Sequence, residues 1–494
     1  MSTSIVVPGQ DFKPRNPYVG PRPFKVGQTL PNREQEAQDV ADLLVSDRVL
    51  LLHARSGAGK TSLIQAAVMR KLDGFRVLGP VRVDKPPSVG DDGKPIAPRN
   101  VYVNSIATYL LADVESASTL ADLSLDEIID RVTRSGPVVL IIDQFEEVLT
   151  LNPTDSSAKR QFFMELGSAL ERLPLWLLLA MREDFVGALA PYVQYLPGHL
   201  HSRYRLEFLT RVEAMAAIQK PALGQRVTVT DDAAHALVRL LATTKVQQPQ
   251  RALETVATDY IEPFQLQVVC RRLWKDIRSD FERSDRGNFN RIERCDIDKL
   301  PDGYVERALS RYYADSVREI ARSYPVDERA LRTWFEEALI TVQGYRSQST
   351  SGPIEGRRGQ DVLARLKDMF LINDDKRGDT TWYELAHDRL IPAVKDDNAV
   401  WRASKLAPWQ LQALEWAHSG RQAGYLLDDR DLEAALKLDV SRSDLDDEFL
   451  QASIERARGT FRLARYRRRW VFLALLALVE FMIIIFLLIL VIAR

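Results

Sequence analysis

Apolar residues fall along this chain in three rhythms. At residues 49–52, 138–142 and 175–181 they form short continuous runs, which predict strands buried on both faces, as in a parallel sheet. A further strand is predicted at 75–83. Between and beyond these runs, apolar positions recur every three and four residues, the spacing of one-sided helices. They predict helices over 33–46, 60–72 and 211–220, the last ending before Pro221. The same spacing predicts helices over 230–243, 261–279, 302–323, 328–341 and 359–370. Residues 371–383, with a turn at 374–378, predict a hairpin, so 300–400 reads as a winged helix.

The third rhythm is an unbroken apolar run of 24 residues, 470–493, whose one charge is Glu480. At about 1.5 Å per residue it is long enough to span a bilayer with some tilt. Arg467, Arg468 and Arg469 precede it, and the positive-inside rule keeps the bulk of the chain cytoplasmic. The expectation is a single-pass protein anchored by its tail in the inner membrane. Seven arginines between Arg456 and Arg469 would contact anionic lipid headgroups. An ionisable group at mid-membrane needs water or a partner, so Glu480 is the candidate to line a lesion if several helices gather; the alternative is an anchor.

Turn chemistry supplies the first functional signal. The strand at 49–52 leads into Ala54-Arg55-Ser56-Gly57-Ala58-Gly59-Lys60-Thr61-Ser62, a phosphate-binding loop whose first glycine is replaced by alanine. Backbone N–H groups of Ser56, Gly57, Ala58 and Gly59 would cradle phosphate, with the following helix pointing its positive end at the anion. Lys60 would reach the β and γ phosphates of ATP or ADP, Thr61 would ligate Mg²⁺, and Ser62 completes the motif. The strand at 138–142 ends in Asp143-Gln144-Phe145-Glu146-Glu147. Asp143 is the candidate to hold Mg²⁺, and Glu146 or Glu147, with Glu147 preferred, to polarise the attacking water. The strand at 175–181 ends in Arg182, placed to touch the γ phosphate; a surface salt bridge with Glu183 or Asp184 is the competing role.

Strands alternating with helices indicate an α/β domain with a doubly wound parallel sheet. The expected order is an irregular lead-in at 1–32, the nucleotide domain at 33–210, a helical domain at 211–299 and the winged helix at 300–400. A helical, arginine-rich segment at 401–469 and the membrane helix at 470–493 follow. Formal charge is −1, from 67 basic and 68 acidic residues, so no global field recruits nucleic acid, and no direct nucleic-acid partner is expected. Two cysteines, without zinc spacing, argue for a reducing compartment.

Taken together, Asn16-Pro17-Tyr18-Val19-Gly20-Pro21-Arg22-Pro23-Phe24, the Ser-Gly-Ala-Gly-Lys-Thr-Ser loop, Asp-Gln-Phe-Glu-Glu, Arg-Glu-Asp-Phe, Glu-Pro-Phe-Gln-Leu-Gln and a late His-Asp resemble bacterial STAND NTPases, the signalling class that includes the NACHT and apoptotic ATPases. The resemblance implies a slow, regulatory ATP hydrolase, ADP-bound and monomeric at rest. On exchange for ATP the winged helix swings away and the protomers oligomerise. It implies that His387 holds the ADP β phosphate from the winged helix, that Pro221 approaches the adenine, and that Arg33 lies near the base. Two positions depart from the family pattern: Asn32 stands where the family has glycine, and Ala386 where it has methionine. The implied role is conflict or antiphage signalling with self-association, a trigger or sensor protein and inner-membrane lipids as partners. A membrane-anchored remodelling ATPase or a scaffold for a separate effector are the alternatives.

Overall fold

The computed structural model describes residues 14–83, 96–132, 136–150, 155–246, 254–283, 289–341, 343–377 and 380–458, with 473, 475 and 476. The chain divides into two units, Met1–Asp397 and Asn398–Arg494.

Five parallel strands organise the first unit: β1 (Val49–Ala54), β2 (Arg76–Val81), β3 (Val138–Ile142), β4 (Leu175–Arg182) and β5 (Arg203–Arg205). Their spatial order is β2-β3-β4-β1-β5. β3 is buried along its whole length, as a strand covered on both faces must be. Alternation divides its side chains. Val138, Leu140 and Ile142 join Leu51, Leu177 and Leu179 in a core facing the Val101–Leu111 and Ser156–Arg172 helices. Val139 and Ile141 join Leu50, Leu52, Leu178 and Ala180 on the opposite face, under helices α1 (Glu34–Asp47) and α2 (Lys60–Ala66). Removing one of these leucines to alanine costs about 2–5 kcal/mol, because the packed layers cannot collapse into the gap.

Caps set the helix starts. Asn100 accepts hydrogen bonds from the Tyr102 and Val103 amides, Asp155 from Ala158, and Thr210 forms a reciprocal capping box with Glu213.

Helices dominate after β5. The Pro263–Arg283 helix serves two cores at once. Leu266, Val269, Cys270, Leu273 and Trp274 pack into a helical domain. Phe264 and Val268 pack with Leu309, Tyr313, Phe335, Leu363 and Leu385 in the winged-helix core. The Tyr304–Ser323 helix is shared likewise, with Tyr304 and Val305 in the first core and Val317 and Ile320 in the second. Residue 300 is therefore not a physical seam. The wing pairs Ile372–Arg377 antiparallel with Thr380–Leu385, whose other edge takes Gln348–Ser349.

Four expectations need correction. The helix expected to stop before Pro221 runs Arg211–Leu223. Proline there removes one bond in the last turn only, and the Gly224 amide still reaches the Lys220 carbonyl at 3.2 Å. The helix expected over 60–72 ends at Ala66, where Ala67 leaves helical geometry, and continues as a tighter Val68–Lys71 turn. The helix expected over 328–341 ends at Glu337, because Leu339 and Ile340 turn into the winged-helix core. Residues 374–377 belong to a wing strand rather than a turn, with Arg377 paired to Thr380.

The lead-in is irregular where described, yet firmly tied. Tyr18 is buried, and its hydroxyl donates to the Ile218 carbonyl at 2.7 Å. Asn16 Nδ2 donates to the Arg271 carbonyl, Arg271 to Val19, and the Phe24 amide to Ser62 Oγ.

In the second unit, Trp409, Ala413, Trp416, Leu432 and Phe449 form a core of their own, from the Pro408–His418 and Asp429–Lys437 helices and a helical stretch at 444–458. Among the described residues no helix is long and apolar enough to cross a membrane. Glu480 and all but three residues of the 470–493 run lie outside the described residues, as does most of the arginine-rich stretch before them.

Candidate functional site

Three adjacent parallel strands, β3, β4 and β1, end at one edge of the sheet, the edge where open α/β sheets bind ligands. β4 lies between the other two, so Arg182 comes into register directly beside Ala54, the last residue of β1 and the first of the phosphate loop. Asp143 follows β3 and is buried.

The loop itself is a turn closed by the Ala58 amide on the Arg55 carbonyl. Gly57 (φ +80°) and Gly59 (φ +95°) occupy the left-handed region, and Gly59 is the residue from which α2 starts. Ser56 lies in the turn, and Ala58 packs into the core. Thr61 Oγ1 donates to Asp143 Oδ2 at 2.7 Å. A hydroxyl and a carboxylate in that pairing supply the oxygen donors Mg²⁺ takes beside nucleotide phosphates and water. Ser62 turns elsewhere, accepting the Phe24 amide at 3.1 Å.

Lys60 Nζ donates to the Ala54 carbonyl at 3.4 Å. Burial pushes its ammonium below the usual lysine range, with Glu146 and then Asp143 pulling it back up. Among the described residues no carboxylate lies within ion-pair distance of it, so a partly buried cation faces the loop without a neutralising partner. That is the electrostatic condition for binding phosphate.

Burial raises the Glu146 carboxyl above the usual carboxylate range, Lys60 opposing it, and Glu146 Oε2 accepts the Arg182 amide at 3.2 Å. Glu147 opens the short Glu147–Thr150 helix, which packs against the Ile372–Arg377 wing strand. Glu146 is coupled to Lys60 and Asp143.

Of the two roles that the sequence leaves open for Arg182, the salt bridge with Asp184 is present. Arg182 bonds Asp184 at 2.9 Å and reaches across to Glu384 of the wing at 3.0 Å. Glu384 is buried and also takes Arg346 at 3.3 Å and Gln348 at 2.9 Å.

His387 closes the site from the winged helix. A Cβ added to Gly57 would lie 2.7 Å from His387 Cε1, so the imidazole edge is against the phosphate loop. His387 Nδ1 is 3.0 Å from Glu262 Oε1, and its ring stacks on Phe264.

Arg33 and Pro221 make no hydrogen bond or ion pair with the loop among the described residues. Arg33 is buried at the start of α1, bound to Glu36 and to the Glu207 carbonyl. The two segments do meet each other, through Lys220 Nζ and Asn32 Oδ1 at 3.3 Å. Asn32 has φ +61°, a conformation glycine adopts freely and asparagine tolerates best among the rest. Glu384, Arg346 and the roles of Glu262 and Phe264 have no local signature in the sequence, apart from the Glu-Pro-Phe motif itself.

A family model described as Novel STAND NTPase 1 matches residues 17–396. No curated protein matches. Among solved structures the chain is similar to a Walker-type ATPase of Pyrococcus abyssi, at 16% identity and TM-score 0.40, over 76% of this chain and 98% of that one. It is similar to the ORC1 protein of Aeropyrum pernix in complex with DNA, at 16% identity and TM-score 0.39, over 76% and 95%. The ORC2 protein of the same organism, in ADPNP-ADP complexes, aligns at 15% identity and TM-score 0.32, over 79% and 99%.

Proposed function

Because the chain belongs to the novel STAND NTPase 1 family, we propose that it is a nucleotide-gated switch that binds ADP at rest, exchanges it for ATP and hydrolyses ATP slowly. The observation that carries this reading is the placement of His387, a winged-helix residue, against Gly57 of the phosphate loop. A domain held against the phosphates suits a switch, because the nucleotide then decides whether that domain stays.

In this reading Gly57, Gly59 and Lys60 hold the phosphates, and Thr61 and Asp143 hold Mg²⁺, which supplies charge neutralisation when bound. Glu146 accepts the proton of the attacking water, its raised affinity for a proton suiting that task. Arg182 exchanges its Glu384 partner for the γ phosphate, and in doing so releases the wing. The freed winged helix exposes the surface through which protomers self-associate.

Sequence alone carries the remainder. The apolar run at 470–493 supports a location at the inner membrane, as anchor or, through Glu480, as lining of a lesion formed on oligomerisation. The role is conflict or antiphage signalling, set off by a trigger or a separate sensor.

Light scattering of the detergent-solubilised protein tests the switch. A monomer with ADP that becomes a closed oligomer with Mg²⁺ and a non-hydrolysable ATP analogue is the expected result. One and the same oligomer in both states would replace it with a constitutive remodelling ATPase.

A further inference from the structure

We infer that Glu262 and Phe264 are positioning residues that fix the His387 imidazole against the phosphate loop and thereby set how long ADP is retained. The inference rests on the reading of His387 as the group that holds the nucleotide phosphate in the closed form.

The geometry is complete on three sides of the ring. Glu262 Oε1 takes Nδ1 at 3.0 Å. Phe264 stacks on the ring face, with centroids 3.8 Å apart and planes inclined by 23°. The Cε1 edge abuts Gly57, at a distance that leaves no room for a side chain there. With Nδ1 committed to the carboxylate, Nε2 is the ring nitrogen left for a phosphate oxygen. A histidine's second nitrogen is oriented by the partner of its first, as in metal sites, where such partners tune affinity through the ligand they hold.

Both positioning residues are themselves held. Pro263 is the first residue of the Pro263–Arg283 helix, a position where its fixed φ is already helical and its missing N–H costs nothing. The Leu266 amide bonds the Glu262 carbonyl at 3.1 Å, so the Glu262 backbone is locked at the helix start. Glu262 Oε2 lies 3.8 Å from Arg389 Nε, and Phe264 is buried in the winged-helix core. This gives the Glu-Pro-Phe motif a physical content: acceptor, helix start and stacking face in three consecutive residues. It also ties the helix shared by both cores to the nucleotide. Any ligand that disturbs the start of that helix would loosen His387 without touching the phosphates.

The test is the release rate of fluorescent mant-ADP from the full-length protein, chased with excess ADP, in a double-mutant cycle. Glu262→Ala and His387→Ala should each speed release about ten-fold, the effect of losing one hydrogen bond to a charged group. The double variant should be no faster than His387→Ala alone, since the two act as one unit. Glu262→Gln keeps an acceptor for Nδ1 and should stay within about three-fold of the parent, whereas Glu262→Asp keeps the charge, loses the reach and should resemble alanine. Multiplying effects in the double variant, or an aspartate variant that behaves as the parent, overturns the positioning role while leaving His387 itself in place. An unchanged rate for His387→Ala overturns the underlying reading. Should Glu262→Ala unfold, the aspartate and glutamine pair carries the same comparison.

Discussion

The Arg182 guanidinium and the Glu384 carboxylate, 202 residues apart in sequence, meet at 3.0 Å. The strand end beside the phosphate loop is thereby joined to the wing. Glu384→Ala takes the buried shared partner from Arg182 and Arg346, which keep Asp184 and Asp388 respectively and partial access to water. A loss of about 2–3 kcal/mol is therefore expected, below the full cost of orphaning a buried charge. Denaturant unfolding of the nucleotide-free protein measures it, and a change under about 0.5 kcal/mol, the range of ordinary surface substitutions, would mean that the pair is not a link.

Thr61 and Asp143 share a hydrogen bond of 2.7 Å at the place where a divalent cation would sit. Asp143→Ala should lower ATP affinity in Mg²⁺ at least about ten-fold and leave affinity in EDTA nearly unchanged. Titrations with and without chelator distinguish this from a general loss of the loop, which would weaken both alike.

Glu146 offers a test in which stability and chemistry move in opposite directions. Its folded-state pKa is raised by burial, so the folded protein binds that proton more tightly than the unfolded chain does. The stability tied to that preference is present below the ordinary carboxylate range and is lost as pH rises through the raised value. Glu146→Gln mimics the protonated form. Its melting temperature should match the parent's at low pH, exceed it at pH 7 without nucleotide, and be accompanied by loss of turnover. Glu147→Gln should do neither. Normal hydrolysis by the Glu146 variant would move the base to Glu147.

At Gly57 two demands coincide: φ of +80°, and an imidazole where a Cβ would stand. Gly57→Ala should cost about 1–3 kcal/mol from backbone strain alone, and in addition push His387 away. Adding His387→Ala should recover the second part and not the first. Full recovery would mean that the backbone conformation matters little.

How much of this was readable follows from how local each signal is. The strand at 138–142, the two loop glycines and Asp143 announce themselves within a dozen residues, because a buried strand followed by a turn leaves a compositional trace. Asp143 is found where the motif places it. The choice between Glu146 and Glu147 is not local; it depends on which side chain turns toward Lys60, and neighbours in sequence give no purchase on that. Glu384 reads as an ordinary polar strand residue until Arg182, Arg346 and Gln348 are seen converging on it. Proline at 221 misleads for the opposite reason: a local rule is applied to a position where only the last turn was at stake.

The lead-in around Tyr18 limits how far such a machine can open. One end is bonded to the Pro263–Arg283 helix through Asn16 and Arg271, the other to the α2 serine, Ser62. Fully drawn out, the residues from Asn16 to Phe24 span at most about 30 Å, given some 3.3–3.6 Å per residue. In the switch proposed above the helical domain is therefore on a leash, and an excursion that uses its full length must first draw Tyr18 from its pocket.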